Sequence, residues 1–147
     1  MSIFEGLDPE KHKELIRQSI NVGDVFLKKF EEAEHEKFFI IAGISKGKIY
    51  VCSVFINSRI HPSIINKPNI YKLHIPLLKS QNEFLSHDSY ANCSYPIPLD
   101  VDKITDGIIN TSCKVIGNIN KTDIGYIQNA IIESGLLSDD EIALYFS

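Results

Sequence analysis

Phe38-Phe39-Ile40-Ile41-Ala42-Gly43-Ile44-Ser45-Lys46-Gly47-Lys48-Ile49-Tyr50-Val51-Cys52-Ser53-Val54 is the stretch on which the fold of this 147-residue chain turns. Its two halves are short runs rich in Val, Ile, Phe and Tyr, side chains that suit a pleated strand. A polar break, Ser45-Lys46-Gly47-Lys48, parts them. Its glycine is free to take positive φ, so the runs at 37–45 and 49–57 predict an antiparallel hairpin.

Outward from that hairpin the same texture continues. Further strands are expected at 24–30, 70–76, 89–94 and 113–116, and Pro62, Pro68, Pro96 and Pro98 should mark loops or strand ends because proline cannot donate to a ladder. Toward the N-terminus, Asp8 as N-cap and Pro9 at the first helical position open a helix whose apolar residues are Leu15, Ile16 and Ile20, ending before Gly23. Toward the C-terminus, Ile124, Ile127, Ala130 and Ile131 share one helical face and Gly135 follows as a stop. Ser138 and Glu141 then form an S-x-x-E capping box for a last short helix. The expected fold class is mainly β with helices (α+β): a small antiparallel barrel flanked by an N-terminal helix and C-terminal helices. A chain of this length closes one core, so residues 1–147 form one domain with 1–20 as a helical extension.

Composition excludes several classes. Hydrophobic residues at 44% and charged residues at 23% are ordinary for a globular chain. No apolar run approaches the roughly 18 residues that a membrane span needs, and Met1–Gly6 lacks the basic and apolar regions of a signal peptide, so a cytoplasmic protein is expected. Cys52, Cys93 and Cys113 lie far apart, without any C-x-x-C pair, and read as reduced packing residues. No close His, Cys, Asp or Glu spacing suits zinc or calcium and no Gly-rich phosphate loop occurs, so neither metal nor cofactor is expected.

The net charge of -4 hides an uneven distribution. Residues 1–36 hold five Lys/Arg against nine Asp/Glu, residues 37–80 hold seven against none, and residues 81–147 hold three against ten. The basic middle third either pairs with its acidic flanks or forms an anion-binding face around Lys37, Lys46, Lys48, Arg59 and Lys67.

The order of these segments carries a resemblance. Gly23-Asp24-Val25-Phe26, a charged loop, the strand Phe38–Ile44, a hairpin, the strand Tyr50–Val54 and the polar end Asn57-Ser58-Arg59 are followed by Asp88–Cys93 and Lys114–Ile119 before the final helices. Over residues 21–137 this resembles the MazF/PemK-like toxins, SH3-like barrels whose active members cut single-stranded RNA without a metal. The resemblance implies a homodimer neutralised by an antitoxin protein. It also implies a basic catalytic residue at the start of the second strand and a hydroxyl at the end of the third, roles that fall on Lys37 and Ser58. The family has Arg-Pro where this chain has Lys37-Phe38, and lysine lacks the planar fork that grips phosphate in bidentate fashion. That difference favours the alternative of a catalytically silent nucleic-acid or protein binding module.

Topology gives an independent reason to look there. In a meander the first and third connections leave the sheet at one end, so His35, Glu36 and Lys37 can meet Asn57, Ser58, Arg59 and His61. Metal-free RNA cleavage needs a proton acceptor, a proton donor and cations for the phosphorane. Arg59 with Lys37 would stabilise the phosphate, Ser58 would hydrogen-bond it, His61 or His35 would exchange protons near neutral pH, and His35, Asn57, His61 and Lys67 would bind substrate. Glu36 is a further candidate base. The consecutive His87-Asp88-Ser89 cannot form a triad, because neighbours on an extended chain face opposite ways. His74 alternates with Leu73 and Ile75, which places it on the solvent face with Lys72.

Overall fold

A computed structural model describes residues 8–29 and 36–147. The chain runs α1 (Pro9–Ser19), β1 (Asp24–Lys29), β2 (Glu36–Ile44), β3 (Tyr50–Asn57), α2 (Pro62–Ile65), α3 (Pro68–Tyr71) and β4 (His74–Leu77). After a 3-10 turn at Lys79–Gln81 come β5 (Ser89–Asp100), α4 (Val101–Ile109), β6 (Cys113–Asn118), α5 (Lys121–Glu133) and α6 (Asp139–Phe146). The architecture is α+β, as the strand and helix patterns require.

The strands form one antiparallel sheet in the order β4-β5-β3-β2-β1-β6. The hairpin turns where its sequence requires, with Gly47 at φ +76° and Lys48 at φ +54°. Among the described residues no ladder joins β4 to β6, so the sheet is open and the expected barrel is not closed by strand pairing. A loop bridges the gap instead. Phe84 packs on Gly117 of β6 so closely that a Cβ there would sit 2.9 Å from the ring. Buried Asn82 accepts from the Asn120 backbone N–H at 3.1 Å and donates to the Asp123 carboxylate at 3.0 Å.

Both faces of the sheet are covered, which explains why Phe39-Ile40-Ile41-Ala42 runs apolar without alternation. Val25, Ile40, Ala42, Val54, Ala91 and Cys93 face α5 and α6, packing with Ile127, Ile131 and Tyr145. Phe26, Phe39, Ile41 and Val51 face the other way, against Ile20 and against Val101 and Ile104 of α4. The stacked rings of Phe26 and Phe39, 5.5 Å between centroids, anchor this second layer, and truncating such a ring costs about 3–5 kcal/mol. Arg17 and Lys13 of α1 form ion pairs with Asp102 and Asp106 of α4, pinning the two helices together.

The helix ends follow their sequence signals. Asp8 accepts from the Lys11 N–H at 2.9 Å, and Ser138 with Glu141 completes the capping box. Such caps contribute about 1 kcal/mol each. The three cysteines are free and buried. Burial pushes the Cys52 and Cys93 thiols up to about 12 and Cys113 up to about 11, so none is a ready nucleophile.

Three expectations need correction, and one element has no counterpart among them. The strand expected at 70–76 is the helix α3 followed by the shorter β4. Pro96 and Pro98 lie inside β5 rather than at its end; β4 pairs with β5 only over Ser89–Asn92, so beyond it a proline nitrogen facing away from β3 costs no ladder bond. Helix α4 was not foreseen. His74 is buried, not exposed, and its ring bonds the carbonyl of Ile70 in the preceding helix.

Candidate active site

One end of the sheet gathers most of the chemistry. Phe38 of β2 pairs with Ile56 of β3, so the start of β2 and the end of β3 lie side by side. Glu36 and Lys37 therefore meet Asn57, Ser58 and Arg59, as the meander argument expects. A cleft of about 500 Å³ opens here, with Phe38 and Ile56 among its apolar walls. His61 and Ile64 of the α2 region line it from one side, and Leu85, Ser86 and His87 from the turn before β5. His74 and Asn92, partners across the β4–β5 ladder, line it together with Ser89. Lys37, Asn57 and Asn92 alternate with core-facing neighbours, so the cleft wraps the sheet end rather than lying on one face.

Lys37, Asn57, Ser58, Arg59 and His61 are thus brought together. Lys67 is not: it is exposed at the start of α3 and does not line the cleft. His35 lies outside the described residues. Sequence reading missed His74, Ser86, His87, Ser89 and Asn92 as cleft residues. The signal it lacked is long-range, because β4 and β5 reach the site only through the crossover by which α2 and α3 carry the chain past β5.

The electrostatics of this end are unbalanced. Among the described residues neither Lys37 nor Arg59 lies within ion-pair reach of a carboxylate, and the ion pairs present join α1 to itself and to α4. The acid-free stretch does not make one continuous patch, since Lys46 and Lys48 sit in the hairpin turn at the other end of β2 and β3. There the Lys48 ammonium donates to the Gln18 carbonyl at 2.6 Å and to the Asn21 side-chain oxygen at 3.0 Å.

Each histidine of the cleft has a defined partner. His61 caps α2, its Nδ1 accepting from the Ser63 N–H at 3.1 Å. His74 Nδ1 lies 3.0 Å from the Ile70 carbonyl oxygen, and His87 Nδ1 lies 3.0 Å from the Ser86 hydroxyl. Asp88 is turned away, accepting from the Lys79 N–H at 2.9 Å, and Ser89 donates to the His87 carbonyl, so no triad forms from this run. Among the described residues no three His, Cys, Asp or Glu side chains converge as metal ligands, and no helix is long and apolar enough to cross a membrane. The chain matches no protein-family model, and no curated protein matches it.

Proposed function

We propose that this cleft binds the phosphodiester backbone of single-stranded RNA and cleaves it without a metal, in the manner of the MazF/PemK-like toxins that the sequence resembles. One observation carries the reading: Arg59 and Lys37, without carboxylate partners among the described residues, share a cleft with Ser58, Asn57 and three histidines. Cations beside groups able to exchange protons are what in-line attack by a 2'-hydroxyl requires. Arg59 and Lys37 neutralise the phosphorane, while Ser58 and Asn57 hydrogen-bond its oxygens. The same resemblance supports a cytoplasmic homodimer held inactive by an antitoxin.

A second reading is a silent binding module on the same scaffold. Lys37-Phe38 in place of Arg-Pro favours it, since lysine offers only a point charge. Incubation of the purified chain with mixed-sequence single-stranded RNA and a chelator separates the two. Fragments bearing 2',3'-cyclic phosphate ends support the enzyme, and bound but intact RNA supports the module.

A further inference from the structure

The three cleft histidines are not equivalent, and hydrogen bonding sorts them. A carbonyl oxygen can only accept, so the bond from His74 to Ile70 fixes the proton on Nδ1. In the neutral ring Nε2 is then a bare lone pair, with no hydrogen-bond partner among the described residues, on a residue that is 6% exposed and lines the cleft. His61 is the reverse case. Its Nδ1 accepts a backbone N–H, so it must stay unprotonated there for the cap to hold, and a doubly protonated ring would forfeit that bond. His87 faces a hydroxyl, which donates or accepts, so its ring tolerates both the neutral and the cationic state.

Resting on the ribonuclease reading of the cleft, we propose that His74 is its proton acceptor and His87 its proton donor, with His61 a structural cap. The 2'-hydroxyl proton passes to Nε2 of His74 and the 2'-oxygen bonds to phosphorus. The bond from phosphorus to the 5'-oxygen breaks, and that oxygen takes a proton from Nε2 of the His87 imidazolium. The products are a 2',3'-cyclic phosphate and a 5'-hydroxyl, and solvent returns both rings to their starting states. Burial and the bond to the Ile70 carbonyl hold the His74 ring in place, so its lone pair needs no reorientation before the reaction.

The test uses His74→Asn, whose side-chain amide still donates to Ile70 but has nothing at the Nε2 position. This variant should fold and bind RNA as before, while cleavage falls about 10²- to 10⁴-fold. The pH profile of cleavage should be a bell whose acidic limb needs neutral His74 and whose alkaline limb needs protonated His87. The other charged or titrating groups of the cleft are Glu36, Lys37, Arg59 and His61. His74→Asn should erase the acidic limb and His87→Ala the alkaline one, and long-range proton–nitrogen spectra should place the neutral His74 proton on Nδ1. Full cleavage by His74→Asn beside an inactive Arg59→Ala overturns this assignment but leaves the cleft reading intact. So does an acidic limb that vanishes in Glu36→Gln and survives in His74→Asn, or a His74 proton found on Nε2. Wild-type protein that binds RNA without cutting it overturns both.

Discussion

The two ends of the sheet each hold two cations from the acid-free middle third of the sequence, yet they use them in opposite ways. At the hairpin end the Lys48 ammonium is bonded to Gln18 and Asn21, while burial raises the nearby Asp24 carboxyl above its ordinary range, opposed by the Asn21 N–H bond and the Lys48 charge. Helix α6 closes over the neighbouring strand so tightly that a Cβ at Gly43 would lie 2.8 Å from Phe146 and from the Tyr145 carbonyl oxygen. At the other end, Lys37 and Arg59 border an open cleft that Glu36 also lines, and neither forms an ion pair among the described residues. Cations from one acid-free stretch thus differ by position: Lys48 is tied into the fold at one end, while Lys37 and Arg59 line the cleft at the other. Where a cation lies relative to the ladder decides which.

The largest effect that would sharpen this contrast is loss of a cleft cation. Arg59→Ala should lower RNA cleavage by about 10²-fold or more, equal to about 2.7 kcal/mol of transition-state stabilisation. Lys37→Ala should act likewise, and the double variant should be little worse than either, because groups serving one transition state lose activity non-additively. Steady-state cleavage with thermal unfolding of each variant checks this. Strictly additive losses would separate the two cations into different sites.

Next in size is Gly43→Val, which should cost about 1–3 kcal/mol by forcing α6 from β2, read by urea unfolding. Cleavage per folded molecule should not change, since the contact lies far from the cleft. Smaller again, Lys48→Ala should lose about 0.5–1.5 kcal/mol of stability through its two hydrogen bonds and leave cleavage intact. If Lys48→Ala reduced cleavage as much as Arg59→Ala, the division between the ends would fail.

A further effect concerns the core between them. Cys52, Cys93 and Cys113 keep their protons in the folded state up to about 12, 12 and 11, whereas the unfolded chain releases them near 9.0. Above pH 9 the unfolded state binds fewer protons, so stability is complete below that pH and falls as pH rises toward 11–12. Urea unfolding at pH 8 and pH 10 should show the decline, and Cys52→Ala should flatten it.

Much of this division was legible in the sequence because its causes are local. The hairpin followed from Gly47 between two apolar runs, α1 and α6 from their caps, and the meeting of Lys37 with Arg59 from counting connections. What escaped depends on distant residues. Helix α4 escaped although Asp100 stands at its N-cap, because it leaves β5 with no intervening turn to part strand from helix. His74 looked exposed because alternation describes one strand alone and takes no account of the bond its ring makes to Ile70 in the preceding helix. The bridging role of Asn82 depends on Asn120 and Asp123, 38 and 41 residues away.

The most direct measurement is cleavage of a mixed-sequence single-stranded RNA by the full chain and by Arg59→Ala, both in excess chelator, with the fragment ends identified. Chelator-resistant fragments ending in 2',3'-cyclic phosphate, and their loss in a folded Arg59→Ala, are the predicted result. Intact RNA with the wild-type chain, or equal cleavage by Arg59→Ala, would contradict the assignment of this cleft.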